Sequence, residues 1–66
     1  MSLGRIIRQR RLQLGLTQSE LAGKELSKSF ISQLERDRAT PSLQTLNLIA
    51  GRLQTTASSL LAEAEG

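Results

Sequence analysis

The stretch LTQSEL, residues 16–21, fixes a helix start more firmly than any other part of the chain. Thr17 stands three residues before Glu20, the spacing of a capping box. In that arrangement the hydroxyl and the carboxylate each satisfy a backbone N–H group that a helix start leaves without a partner. Leu16 and Leu21 flank the box as a hydrophobic staple. Helix signals of this kind recur and cut the whole chain into short segments. Leu3, Ile7 and Leu14 share one stripe of a first helix that ends at Gly15, a good residue for the left-handed position after a helix. The helix opened by Thr17 is short and ends near Gly23 or Lys24. Ser27 caps a third, with Leu26 and Ile31 as a second staple. Asp37 ends it, being among the few non-glycine residues that tolerate the left-handed region. Pro41 and Ser42 open a fourth, with Leu43, Leu46, Ile49, Ala50 and Leu53 as its core stripe, and Thr56 caps a fifth carrying Leu60 and Leu61. Ile6, Leu12 and Leu48 fall off these stripes and are expected at the surface. Val, Tyr and Trp are absent and no period-two alternation is sustained, so strands have little support. The expected fold is all-α: five helices with short turns, no repeats and no linker.

Sixty-six residues suit one domain, spanning 1–66. A chain this short buries only about 60% of its unfolded surface, so the fold must be compact and modestly stable. Small domains often lean on disulfides or metals, but this one has no cysteine and no histidine, which excludes a disulfide framework and a zinc site. The same absence removes any His–Ser or His–Cys pair that would activate a nucleophile. Glu20, Glu25, Glu35, Asp37, Glu63 and Glu65 each have a plainer role as a cap, an ion-pair partner or a tail charge. No enzymatic activity and no cofactor are expected. No apolar run approaches the ~20 residues of a membrane span, no signal peptide is visible, and the chain reads as cytoplasmic.

Nine Lys and Arg against six Asp and Glu give a net charge of +3. The distribution is uneven. Residues 1–38 hold eight of the bases (Arg5, Arg8, Arg10, Arg11, Lys24, Lys28, Arg36 and Arg38) and four of the acids, or +4. A basic half of this kind suits a polyanion partner.

The second and third helices, about residues 17–36 and joined by three or four residues, form a helix-turn-helix unit. At about 100° per residue, Lys28, Ser32, Arg36, Ser29 and Gln33 occupy one continuous arc of the third helix, roughly 140° wide. Ile31 and Leu34 lie on the opposite, buried side, and Phe30 either seals the helix edge or touches a thymine methyl. The arc contains no acid, whereas an ordinary solvated face mixes in Glu or Asp. Its chemistry suits base edges: Gln33 can pair bidentately with adenine N6/N7, and Lys28 can donate to guanine O6/N7. Ser29 and Ser32 are short enough to let the helix sit deep. Arg38 and Thr40, just past the helix, are expected phosphate contacts together with Ser27 and Arg36. Gln18 opens the second helix, where free N–H groups and the dipole favour an anion.

The motifs GLTQSELA, SKSFISQLER and PSLQTLNLIAGRL, in that order and spacing, resemble the Cro/repressor-type, Xre-like helix-turn-helix family over about residues 3–62. The resemblance implies a lambda-repressor-like DNA-binding domain that docks as a homodimer on a pseudo-palindromic operator, with its third helix in the major groove. It also implies that Gln18 meets a phosphate and braces the recognition helix, and that Glu35 pairs with Arg11 of the first helix. Such domains sit at the N-terminus of larger bacterial regulators, so a C-terminal effector domain is expected. Two departures stand out. The segment LAGKELSKSF is one residue shorter than the family's turn, and Asp37 stands where the family prefers glycine. The short turn is expected to alter the angle between the second and third helices. Two other functions use the same residues: an antitoxin that represses DNA while binding a protein partner, or an adaptor between proteins without DNA specificity.

Overall fold

The computed structural model describes all residues from Met1 to Gly66 and contains five helices. They are α1 (Leu3–Gln13), α2 (Gln18–Ala22), α3 (Lys28–Glu35), α4 (Leu43–Arg52) and α5 (Ala57–Glu65). None is long and apolar enough to cross a membrane.

Each helix starts on a Ser or Thr whose hydroxyl accepts a backbone N–H from the first turn: Ser2, Thr17, Ser27, Ser42 and Thr56. Only α2 has the full capping box, with Thr17 N–H donating to Glu20 Oε1 at 2.9 Å and Glu20 N–H donating to Thr17 Oγ1 at 3.0 Å. A reciprocal cap matters most there, because five residues are too few for a helix to hold itself together. Three helices stop in the same way, on a left-handed residue after the last turn. Gly15 (φ 72°), Asp37 (φ 59°) and Gln54 (φ 60°) hold these positions after α1, α3 and α4. In each case the next residue's N–H bonds back into the helix: Leu16 to Arg11 O, Arg38 to Gln33 O and Thr55 to Ala50 O. Gln54 carries no compositional hint of this role.

The core is one cluster of twelve buried apolar residues, with Ile7, Leu21, Ile31, Ile49, Leu53 and Leu60 fully enclosed. Helix α1 lies against both α3 and α5, α2 against α3 and α4, and α4 against α5. The radius of gyration is 10.4 Å, close to the ~11 Å of a compact domain this size. Gly4 marks the tightest crossing. An added Cβ would fall 2.2 Å from the Leu34 carbonyl oxygen, so only glycine lets α1 approach the end of α3 this closely.

The apolar stripes need correcting at their ends. Leu14 is 39% and Leu43 66% exposed, although both lie on expected core stripes. Leu14 is the last residue before the chain reverses at Gly15, and Leu43 is the first of α4. Neither has an opposing helix to cover it. On α5, Leu60 is buried but Leu61 is exposed. Ile6, expected outside, is buried, because α1 is flanked on two sides and buries a wider arc than one stripe. Leu12 is exposed as expected, and Leu48 is half-buried.

Candidate nucleic-acid interface

Helix α3 owes its position to a polar junction. Arg11 Nε donates to Glu35 Oε2 at 2.6 Å, and a second guanidinium nitrogen donates to Glu35 Oε1 at 3.0 Å. The remaining arm of Arg11 donates to the Leu16 carbonyl at 2.9 Å, in the loop before α2. Gln18 Nε2 adds a bond to Glu35 Oε1 at 3.2 Å. One carboxylate therefore ties α1, α2 and α3 together, as the expected Arg11–Glu35 pair requires. Both side chains are almost fully enclosed, and no buried side-chain polar atom in the molecule lacks a partner. Glu35 raises the Arg11 guanidinium pKa further through this bidentate bond, against the opposing effect of burial.

With Ile31 and Leu34 buried and Glu35 locked, the orientation of α3 is set. Lys28, Ser29, Gln33 and Arg36 are exposed together on its free side, and Ser32 is half-buried between them. Ser27 is exposed, and its hydroxyl is engaged as the cap, accepting from Phe30 N–H at 3.0 Å. Phe30 packs partly buried against the core edge. Gln18 is half-buried at the start of α2. Arg38 and Thr40 are exposed on the loop after α3. That loop is pinned from beneath: Asp37 Oδ1 accepts the Gly4 N–H at 3.1 Å, which holds the left-handed turn against the start of α1.

The turn between α2 and α3 has a dedicated support. Arg52, at the end of α4, donates to the Leu21 carbonyl at 2.9 Å and the Ala22 carbonyl at 2.6 Å, and pairs with Glu25. These carbonyls end α2, where helical partners run out; the Ala22 carbonyl also accepts the Leu26 N–H at 3.2 Å. The guanidinium lies so close to Gly23 (φ 59°) that a Cβ there would sit 2.7 Å from it. The Arg52–Glu25 pairing was not legible from sequence, since it spans 27 residues and no local pattern links the two.

The helix-turn-helix family model matches residues 7–60 of this chain, most of its length. The chain belongs to the helix-turn-helix family. It is 42% identical over 64 residues to the immunity repressor protein of Bacillus phage phi105, covering 96% of this chain and 44% of that protein. This chain thus spans less than half of that relative. Among solved structures it is similar to the clp gene regulator ClgR from Corynebacterium glutamicum, at 34% identity and a TM-score of 0.90, over 97% of this chain and 69% of that one. It is also similar to SinR, the master regulator for biofilm formation, solved in complex with DNA, at 36% identity and a TM-score of 0.82, over 89% of this chain and 97% of that one. A third likeness is to Bacillus thuringiensis PlcR, in complex with the peptide PapR7 and DNA, at 32% identity and a TM-score of 0.86, over 91% of this chain and 21% of that one.

Proposed function

We propose that this domain, residues 1–66, binds double-stranded DNA in a sequence-selective way as part of a transcription regulator. The observation that carries the reading is the exposed, acid-free face of α3, held in place by the Arg11–Glu35 junction beneath it. Inserted in the major groove, its first turns bring Lys28 and Ser29 to base edges, with Ser32 and Gln33 one turn further along. Gln18, Ser27, Arg36, Arg38 and Thr40 frame that face and hold the flanking phosphates. Phosphate neutralisation supplies most of the affinity and fixes the register, while base contacts supply the selectivity.

Two copies related by a two-fold axis would set their recognition helices about 34 Å apart, one turn of the duplex, on a pseudo-palindromic operator. The greater length of the phi105 repressor supports a further C-terminal effector region in the complete regulator. Its place of action is the cytoplasm, where the DNA is, and its role is binding and not catalysis.

Selection from random duplexes at two salt concentrations tests the reading. A single enriched motif, with binding that weakens steeply as salt rises, is the expected result; no motif, or binding that ignores salt, would remove it. Within the motif, Lys28→Ala and Gln33→Ala should each cost about 1–3 kcal/mol and relax preference at one position. Arg38→Ala should instead weaken all sequences alike.

A further inference from the structure

Between α1 and the free face of α3 lies an open cleft of about 360 Å³, lined by Arg8, Arg11, Gln18, Ser32, Glu35 and Arg36, with no apolar residue among them. Its floor is electrically spent. Arg11 directs its guanidinium to Glu35 and the Leu16 carbonyl, and Glu35 takes further donation from Gln18. Its walls are not. Arg8 and Arg36 are both exposed, and the three ion pairs of the molecule engage Arg10, Arg11 and Arg52 instead. Two uncompensated guanidinium groups on one polar cleft repel each other until an anion enters. Their planar forks match the oxygens of a phosphate, and the Ser32 hydroxyl adds a donor beside them.

We propose that this cleft seats one backbone phosphate of the bound duplex, with Arg8 as a contact from α1 acting together with Arg36 of α3. The inference rests on the DNA-binding reading above and extends it to α1, which contributes no residue to the contacts named there. Arg8 lies nine residues before the helix-turn-helix motif, and its charge alone does not separate it from Arg5 or Arg10.

The test compares Arg8→Gln with Arg10→Gln, which removes the same charge from the other side of α1, where Arg10 faces Glu63 at 3.0 Å. Binding to the selected duplex and to unrelated duplexes is measured across a salt series, with thermal melts to verify folding. Arg8→Gln should weaken both duplexes by the same factor and reduce the slope of log affinity against log salt by about 1. Arg10→Gln should change that slope by much less. Replacing single phosphates with neutral methylphosphonates should then reveal one position at which wild type and Arg8→Gln bind equally. Equal slopes for the two variants, or an Arg8→Gln deficit that persists at every neutralised position, would overturn the phosphate site while leaving sequence-selective binding intact. Loss of selective binding in the wild-type chain itself would remove the underlying reading, and the site with it.

Discussion

Glu35 accepts three hydrogen bonds from two side chains on two other helices, in a place that water barely reaches. A domain of this length has a total stability of only about 3–10 kcal/mol. Removing one partner of a buried pair costs about 3–5 kcal/mol, since the other charge remains buried and unpaired. Glu35→Ala should therefore consume much of the stability, visible as a large fall in the urea midpoint. The paired change Arg11→Met with Glu35→Leu should recover most of that loss, because it leaves no orphaned charge. If Glu35→Ala melts like the wild type, the junction does not hold α3. At this scale the sequence was readable where chemistry is local: the Ser and Thr caps and the left-handed Asp37 follow from their own residue types. Gln54 was not readable, since glutamine in a left-handed turn is selected by the helices it joins and not by its intrinsic preference.

The element with least support of its own is α2, five residues closed by a capping box at one end. Its other end depends on Arg52, which arrives from α4 with two bonds to its terminal carbonyls. Arg52→Ala strips the Leu21 carbonyl of its partner at a partly buried site, where an unsatisfied group costs about 1–3 kcal/mol, and leaves the Ala22 carbonyl with the Leu26 N–H alone. The expected outcome is a destabilised domain in which amide exchange quickens first in α2 and the turn that follows. A uniform increase across all five helices would mean instead that Arg52 acts only on global stability. Helix existence was legible because caps and apolar spacing are encoded within a few residues. Helix burial at the ends was less so: Leu14 and Leu43 satisfy the periodicity yet face solvent, whereas Ile6 breaks it and is buried. Periodicity reports which residues share a face, while coverage depends on where neighbouring helices begin and end.

At the scale of the whole molecule, acid should loosen the fold in a defined window. The Glu20 carboxyl is held below its ordinary 4.5, first by the Thr17 backbone N–H and then by the Thr17 side chain. The Glu25 carboxyl is likewise lowered, first by its hydrogen bond from Arg52. A carboxyl depressed in the folded state favours folding above its ordinary, unfolded pKa, and that contribution disappears as pH falls through the lower folded value. Wild type should thus exceed Glu25→Gln in urea midpoint by a constant margin above about pH 5, and the margin should close on further acidification. A margin that stays open at acid pH would show that the Glu25 charge is not what Arg52 reads.

The chain by itself determined five helices, the starts of the last four, an acid-free face on α3 and a basic first half, because each is written in neighbouring residues or their sum. The tertiary structure alone decided that Arg52 supports the turn after α2, that Asp37 fastens the loop after α3 to Gly4, and that Arg8 shares a cleft with Arg36. Each of these joins residues some 28 to 33 positions apart. Their proximity follows from how the helices pack, and packing is a property of the whole chain that no single stretch of sequence carries.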